Sequence, residues 1–210
     1  MSPSDALERT GTARVAGLLL AAGGSERMGS PKQLLQFGGA SLVQRAAAAL
    51  HACRCDACFV VVGAHRHEVV AELGDLLLET IPNPGWEEGI GSSIRCGVQT
   101  ISARGDFDAI LLSLADQPLV SREQLDRLLA SFRTGDADIV ASRYAGTVGV
   151  PAVFGRAHFA ALAALRGNRG AKALLEAAGP DLASVAFEPA ATDIDTPQDF
   201  ERLSRGRGCS

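Results

Sequence analysis

Two glycines and two cations stand close together in "LLLAAGGSERMGSPKQLL", residues 18 to 35: Gly23 and Gly24 close an apolar run, and Arg27, Gly29, Pro31 and Lys32 follow. Glycines let backbone come close to something, and Arg27 and Lys32 can pair with phosphate oxygens. The chemistry is that of an anion site, yet neither familiar anion loop fits. The dinucleotide fingerprint requires G-x-G-x-x-G, whereas these glycines fall at 23, 24 and 29. The P-loop requires Lys directly after its second glycine and then Ser or Thr, whereas Ser30 and Pro31 separate Gly29 from Lys32. Pro31 also lacks the amide hydrogen that a cradle closing into a helix would use. On spacing alone, a phosphate cradle and a plain glycine-rich loop are equal readings.

Carboxylates recur where such a loop would need them. "LLSLADQPLV" sets Asp116 directly behind an apolar strand, at the same edge as the glycine loop, and "ATDIDTPQDF" sets Asp193 and Asp195 just ahead of the last helix. Taken singly, Asp116 reads equally as a turn aspartate before proline, and Asp195 as a helix cap. "GIGSS" (89 to 93) is not the G-x-S-x-G elbow of a hydrolase.

Elements that could position these residues follow from the apolar pattern. The runs "VAGLLLA" (15 to 21), "CFVVVGA" (58 to 64), "AILLSLA" (109 to 115) and "DIVASRY" (138 to 144) are continuous rather than alternating, as strands covered on both faces should be. Helical spacing appears over 41 to 53, 66 to 74, 92 to 103 and 121 to 132, with Ser121 as N-cap ahead of Glu123 and Gln124. Alternating strands and helices predict an α/β fold: three layers around a doubly wound, mostly parallel sheet. In such a sheet, ligands sit beyond the carboxyl ends of the strands, where residues 21 to 24 and Asp116 lie. After residue 145 the pattern changes to the glycine- and proline-punctuated "GTVGVPAVFGR", then alanine-rich helices over 156 to 166 and 170 to 178. "TPQDF" predicts a helix start, with Thr196 at N-cap, Pro197 first and Asp199 third.

Composition bounds the class. The 210 residues, 47% hydrophobic, suit one domain over 15 to 205 behind a polar, frayed segment 1 to 14. Lys and Arg number 20 against 24 Asp and Glu, so no broad basic face for nucleic acid is indicated, and no run is long enough for a membrane span. Five cysteines, an odd number, argue for a reducing cytoplasm; Cys53, Cys55 and Cys58 read as small buried hydrophobes rather than a zinc cluster.

The loop "LLLAAGGSERMGSPKQLL" resembles the signature of nucleotidyltransferases of Rossmann-like fold, L-A-x-G, then Arg-Met-Gly, then Lys. That resemblance implies that Arg27 and Lys32 grip a triphosphate as catalytic groups with Asp116, and that backbone around Leu20, Ala21, Ala22, Gly23 and Gly24 faces base and phosphates. "LAAG" rather than "LAGG" is similar to the cytidylyl-transferring branch, and the distinction rests on Ala22. The resemblance also assigns Asp116, in D-x-P, and Asp195, in D-T-P, to Mg²⁺ (or Mn²⁺), with Asp193 as an outer neighbour.

"NPGWEEGIGSSIRCGVQ" (83 to 99) resembles the N-x-x-W-x-x-G-(I/M)-x-x-S-(I/L)-x-x-G motif of the molybdenum cofactor cytidylyltransferase family, which implies that Ser92, Ser93 and Gly97, with Gly63, take part in nucleotide binding. The bland reading of Ser92 and Ser93 is a helix start. Tyr144, Gly149, Pro151 and Phe154 match the family's G-x-P-x-x-F segment on the acceptor side, within about 140 to 192. The family's Gly-Asp-x-Gly-Ala-Arg appears here as Gly167-Asn168-Arg169-Gly170-Ala171-Lys172, so Asn168 loses a charge and Lys172 the bidentate fork. The resemblance spans about 15 to 203. It implies a monomeric enzyme joining CMP from CTP to a molybdopterin-type cofactor, releasing pyrophosphate, for a molybdenum hydroxylase apoenzyme on which it docks. Guanylyl transfer, a sugar-phosphate acceptor and a non-catalytic cofactor carrier are the competing readings.

Overall fold

The computed structural model describes residues 13–25, 31–179, 182–194 and 196–206. Arg27, Asp195, Cys209 and most of the 1 to 14 segment lie outside them. Seven strands form one sheet in the order β5-β4-β1-β6-β8-β7-β9: β1 Val15–Ala21, β4 Ala57–Val62, β5 Glu79–Pro82, β6 Ala109–Leu114, β7 Ile139–Tyr144, β8 Thr147–Gly155 and β9 Leu182–Ala186. The central strand β1 pairs in parallel with β4 on one side and β6 on the other. All seven of its residues are buried, as its unbroken apolar run requires. A separate ribbon, β2 Gln36–Phe37 and β3 Ala40–Ser41, turns through Gly38 and Gly39, both at positive φ.

Helices cover both faces. On one lie α1 Leu42–Ala52, α2 Arg66–Leu73 and α4 Arg122–Thr134, packing Leu50, Val69, Leu128 and Phe132 against Leu19 and Val60. On the other lie α3 Ile90–Arg104, α5 Phe159–Ala163 and α6 Lys172–Ala178, packing Ile94, Val98, Leu162 and Leu175 against Leu18 and Ile110. Each fully buried Leu or Phe contributes about 1.5–3 kcal/mol of transfer free energy. Caps fall where the sequence places them: Ser41 Oγ accepts from Gln44 N and Ser121 Oγ from Gln124 N. Thr196 and Asp199 cap each other reciprocally at the start of α7, Pro197–Gly206. No helix among the described residues is long and apolar enough to cross a membrane.

The glycine- and proline-punctuated segment after residue 145 forms β8, which runs antiparallel to both its neighbours in the seven-stranded sheet and is joined to β7 by a two-residue turn at Ala145 and Gly146. The pairing explains the misleading punctuation. Ala141 opposes Ala152 while Ser142 opposes Gly149, so Val150 and Pro151 fall in a bulge where no ladder donor is needed. The helix expected over 156 to 166 is a 3₁₀ turn plus the short α5, ending before the turn at Gly167. Strands β5 and β9 carry no clear sequence signal because both are short, half-exposed edges.

Cys53, Cys55 and Cys58 lie at the end of the sheet away from the glycine loop. Cys53 and Cys58 donate through Sγ to the Leu50 carbonyl, and Cys55 packs beside Gly17. A hydrogen bond between them lowers the Cys53 thiol and raises that of Cys55, and burial pushes Cys58 up to about 12. Among the described residues no three His, Cys, Asp or Glu side chains converge as a metal site.

Candidate active site

The site lies where sheet order reverses about β1, beyond the carboxyl ends of β1 and β6. There a cavity of about 370 Å³ is bounded by the turn from Leu20 to Ser25, by Lys32 and Gln33, by Leu114 to Asp116, and by Trp86, Ser93 and Asn168 from the far side. Parallel pairing continues past the strand ends, with Ala115 N donating to Leu20 O, so the glycine turn and Asp116 leave the sheet side by side.

Lys32 and Asp116 meet in this cavity. Lys32 Nζ donates to Asp116 Oδ2 at 2.6 Å, and the two side chains are 18% and 20% exposed. Asp116 Oδ1 is buried with no hydrogen-bond partner among the described residues. Such an oxygen keeps its full desolvation cost until something positive or protic meets it. The backbone of Asp116 is pinned through its carbonyl by Ile194 N, which brings the segment carrying Asp193 to the same edge.

Burial, then the charge of Asp193 and, least, that of Asp116 raise the Tyr144 phenol. That hydroxyl donates to Val150 O at 3.2 Å and occupies the space a side chain at Gly149 would need. Gln117, buried beside Asp116, donates to Val150 O and Ala190 O and ties the β8 bulge to the segment ahead of α7. Tyr144, Gly149 and Pro151 thus form a layer behind Asp116 rather than the cavity wall itself.

Of the residues expected to bind nucleotide, Leu20, Ala21, Ala22, Gly23, Gly24, Lys32 and Ser93 line the cavity, and Asn168 joins them from the acceptor side. Three others, and Lys172 of the expected acceptor side, lie outside the cavity lining. Gly97 lies one turn beyond Ser93 on α3, where a Cβ would sit 2.6 Å from Leu18 Cδ2; its small size lets helix and sheet close. Ser92 is 1% exposed and donates to Gly89 O, a helix-start role. Gly63 lies behind the wall, where a Cβ would come 2.5 Å from Ala22 O and 2.7 Å from Trp86 Cβ. Lys172 points away, to an exposed pairing with Glu176 at 3.9 Å.

Trp86 is the contributor the motif reading undervalued. It follows Asn83, whose side chain accepts from Gly85 N and donates to both Ser92 and Ser93 hydroxyls, fixing the path from β5 into α3. The indole then lies against Gly24, where a Cβ would come 2.7 Å from Cζ3. What approaches Gly24 closely is therefore this ring. Asn168 is held by a clasp: Glu88 pairs with both terminal nitrogens of Arg95 at 3.0 and 2.5 Å and accepts from Gly167 N, and Arg95 also donates to Leu165 O. The Arg95 guanidinium, then the Gly167 amide, hold the exposed Glu88 carboxyl down at about 2.

Comparison with known proteins agrees with this geometry. The model of the MobA-like NTP transferase domain matches residues 17–183. Nicotine blue oxidoreductase of Paenarthrobacter nicotinovorans is 31% identical over 201 residues, 90% of this chain and 96% of that protein. The purine catabolism protein PucB of Bacillus subtilis is 28% identical over 201 residues, 90% of this chain and 95% of that protein. Among solved structures, the homologue of Mycobacterium tuberculosis rv0371c from Mycobacterium sp. strain JC1 superposes with a TM-score of 0.79 at 30% identity, covering 92% of this chain and 96% of that one. The manganese complex of Rv0371C from M. tuberculosis H37Rv gives 0.77 at 26% identity, covering 91% and 98%. With a match running from inside β1 into β9, the chain belongs to the MobA-like NTP transferase domain family and is a nucleotidyltransferase.

Proposed function

We propose that the chain transfers the cytidylyl group of CTP to a molybdopterin-type cofactor, releasing pyrophosphate, and so matures that cofactor for a molybdenum hydroxylase. The observation that carries the reading is the Lys32–Asp116 pair set against the glycine turn in one cavity. Ala22 in "LAAG" supports cytosine over guanine, and the relatedness to a purine catabolism protein suits a hydroxylase partner.

In the reaction, a phosphate oxygen of the acceptor attacks the α-phosphorus of CTP, the bond from that phosphorus to the bridging oxygen breaks, and pyrophosphate leaves with the electron pair. Lys32 would pass from Asp116 to the phosphates, placing its charge where negative charge gathers. The residues 21 to 25 bring the triphosphate within its reach, and Trp86 shields that turn from water. Residues 140 to 192 are the acceptor side, with Tyr144 backing Asp116 through its hydrogen bond to Val150 O and Asn168 at the rim. By resemblance, Arg27 and Asp195 complete the triphosphate grip and the metal set. Asp116 Oδ1 fits a hard cation: it is an oxygen donor, buried and unpartnered among the described residues. One carboxylate or two, with the remainder supplied by phosphates and water, is the Mg²⁺ pattern. The metal's contribution, when bound, is to neutralise charge on the α-phosphate. The test is acceptor-dependent pyrophosphate release from CTP with Mg²⁺, compared between wild type and Asp116→Asn.

The likeness to nicotine blue oxidoreductase supports a second reading, an oxidoreductase acting on a dye of that kind. Against it stands the glycine spacing 23, 24, 29, which is not the dinucleotide fingerprint. Dye-dependent oxidation of NADH or NADPH would decide for it.

A further inference from the structure

Gln33 follows Lys32 in the sequence and is only 3% exposed, yet it is long, polar and placed beside the site. Both ends of its amide are used. Nε2 donates to Gly23 O at 2.6 Å and more weakly to Ala21 O at 3.5 Å, while Oε1 accepts from Ser25 Oγ at 3.1 Å. Ser25 Oγ in turn accepts from Lys32 N at 3.0 Å. The brace therefore runs from the strand end, through Gln33 and Ser25, to the backbone of the lysine. Ser25 itself sits at φ +57, a left-handed conformation costly for a side-chain-bearing residue, and its two hydrogen bonds hold it there.

The carbonyls around the turn complete the argument. Ala21 O and Gly23 O face Gln33, and Ala22 O accepts from Ala64 N. Three successive carbonyl oxygens are thus turned onto protein donors. A polyanion lying against residues 21 to 25 then meets no lone pair from these three, and repulsion is removed without adding a cation. We infer that Gln33 is the positioning residue of the nucleotide turn: by holding the Ala21 and Gly23 carbonyls and, through Ser25, the Lys32 backbone, it sets the affinity for the triphosphate. This rests on the reading of the cavity as a nucleotide site.

The chain holds a single tryptophan, and it lies against Gly24, so Trp86 fluorescence reads the turn directly. Wild type, Gln33→Met, Gln33→Glu and Ser25→Ala would be titrated with CTP and Mg²⁺, with thermal unfolding measured without ligand. Gln33→Met should weaken CTP binding about tenfold, since it removes all three hydrogen bonds, the one to Ala21 O being long and weak. Gln33→Glu should weaken it further, since a carboxylate would face Gly23 O and the anion together. Ser25→Ala, which keeps the Nε2 contacts, should cost about threefold. At saturating CTP, kcat should fall by less than the affinity, a split that general loosening of the fold would not give. A folded Gln33→Met that binds CTP within twofold of wild type overturns the inference alone. If Gln33→Met does not fold, Ser25→Ala decides, and wild-type affinity in it overturns the inference. Wild type with no saturable response to CTP or GTP overturns the nucleotide reading itself, and the inference with it.

Discussion

Lys32 Nζ lies 2.6 Å from Asp116 Oδ2, joining residues 84 positions apart at the lip of one cavity, while Asp116 Oδ1 has no hydrogen-bond partner among the described residues. A cation and an anion that neutralise each other here are both required, on the proposed mechanism, to act on a third party. Asp116→Asn keeps shape and removes charge, and should lower the rate of pyrophosphate release by about 10²–10³ or more, several kcal/mol of transition-state stabilisation. Lys32→Met should cost a similar factor. The check is steady-state kinetics at saturating CTP, with thermal unfolding to show that both variants fold.

Two glycines expected to serve the same ligand should separate. Gly97→Ala forces a methyl against Leu18 and Val61 in the core, and should cost about 1–3 kcal/mol of stability, roughly 2–4 °C of Tm for each kcal/mol, with CTP affinity unchanged. Gly24→Ala meets only the indole of Trp86 and should shift its fluorescence and weaken CTP, with a smaller change in Tm. Calorimetry and fluorescence titration on the pair would show the contrast.

The Glu88–Arg95 clasp should leave a mark on acid stability. Glu88 is held at about 2 in the fold against 4.5 as its ordinary value. Its contribution is therefore complete above about pH 4.5 and is lost as pH falls through about 2. The Tm difference between wild type and Arg95→Met should be constant from pH 7 to 5 and shrink below 4.5. A difference that grows on acidification would contradict the pairing.

Tyr144→Phe removes the donor that faces Val150 O, near Asp116 and Asp193. On the acceptor-side reading, loosening this layer behind Asp116 should raise KM for the pterin about fivefold, through the placing of Asp116 and the β8 bulge rather than a lost contact to the pterin, while CTP affinity stays within twofold. Both constants come from one initial-rate series with each substrate varied.

The parts of this fold that could be read ahead of any structure were those whose signal is local. Val15–Ala21 is buried on both faces, so its apolar run could mean little else, and Ser41, Ser121 and Thr196 cap helices through atoms within three residues. Thr147–Gly155 hid its strand because Pro151 and Gly149 answer to a bulge and to Tyr144, which are partners that only pairing brings near. In the site, Lys32 and Asp116 were legible from type and from position after a strand. For Gly63, Ser92, Gly97 and Lys172 a resemblance reports a position and not its surroundings: the two glycines are closed in by neighbouring protein, Ser92 bonds Gly89 O, and Lys172 pairs with Glu176. Gln33 carries no signal in the sequence, since its three hydrogen bonds lie across a turn whose shape no spacing reveals.

The central claim is transfer of a cytidylyl group onto a molybdopterin-type acceptor. It is tested most directly by incubating the protein with that acceptor, Mg²⁺ and equal CTP and GTP, and taking the mass spectrum of the product. The account predicts an acceptor heavier by one cytidylyl group, formed by wild type and not by Asp116→Asn. A guanylyl adduct would contradict the choice of base, and an unchanged acceptor would contradict the proposed reaction.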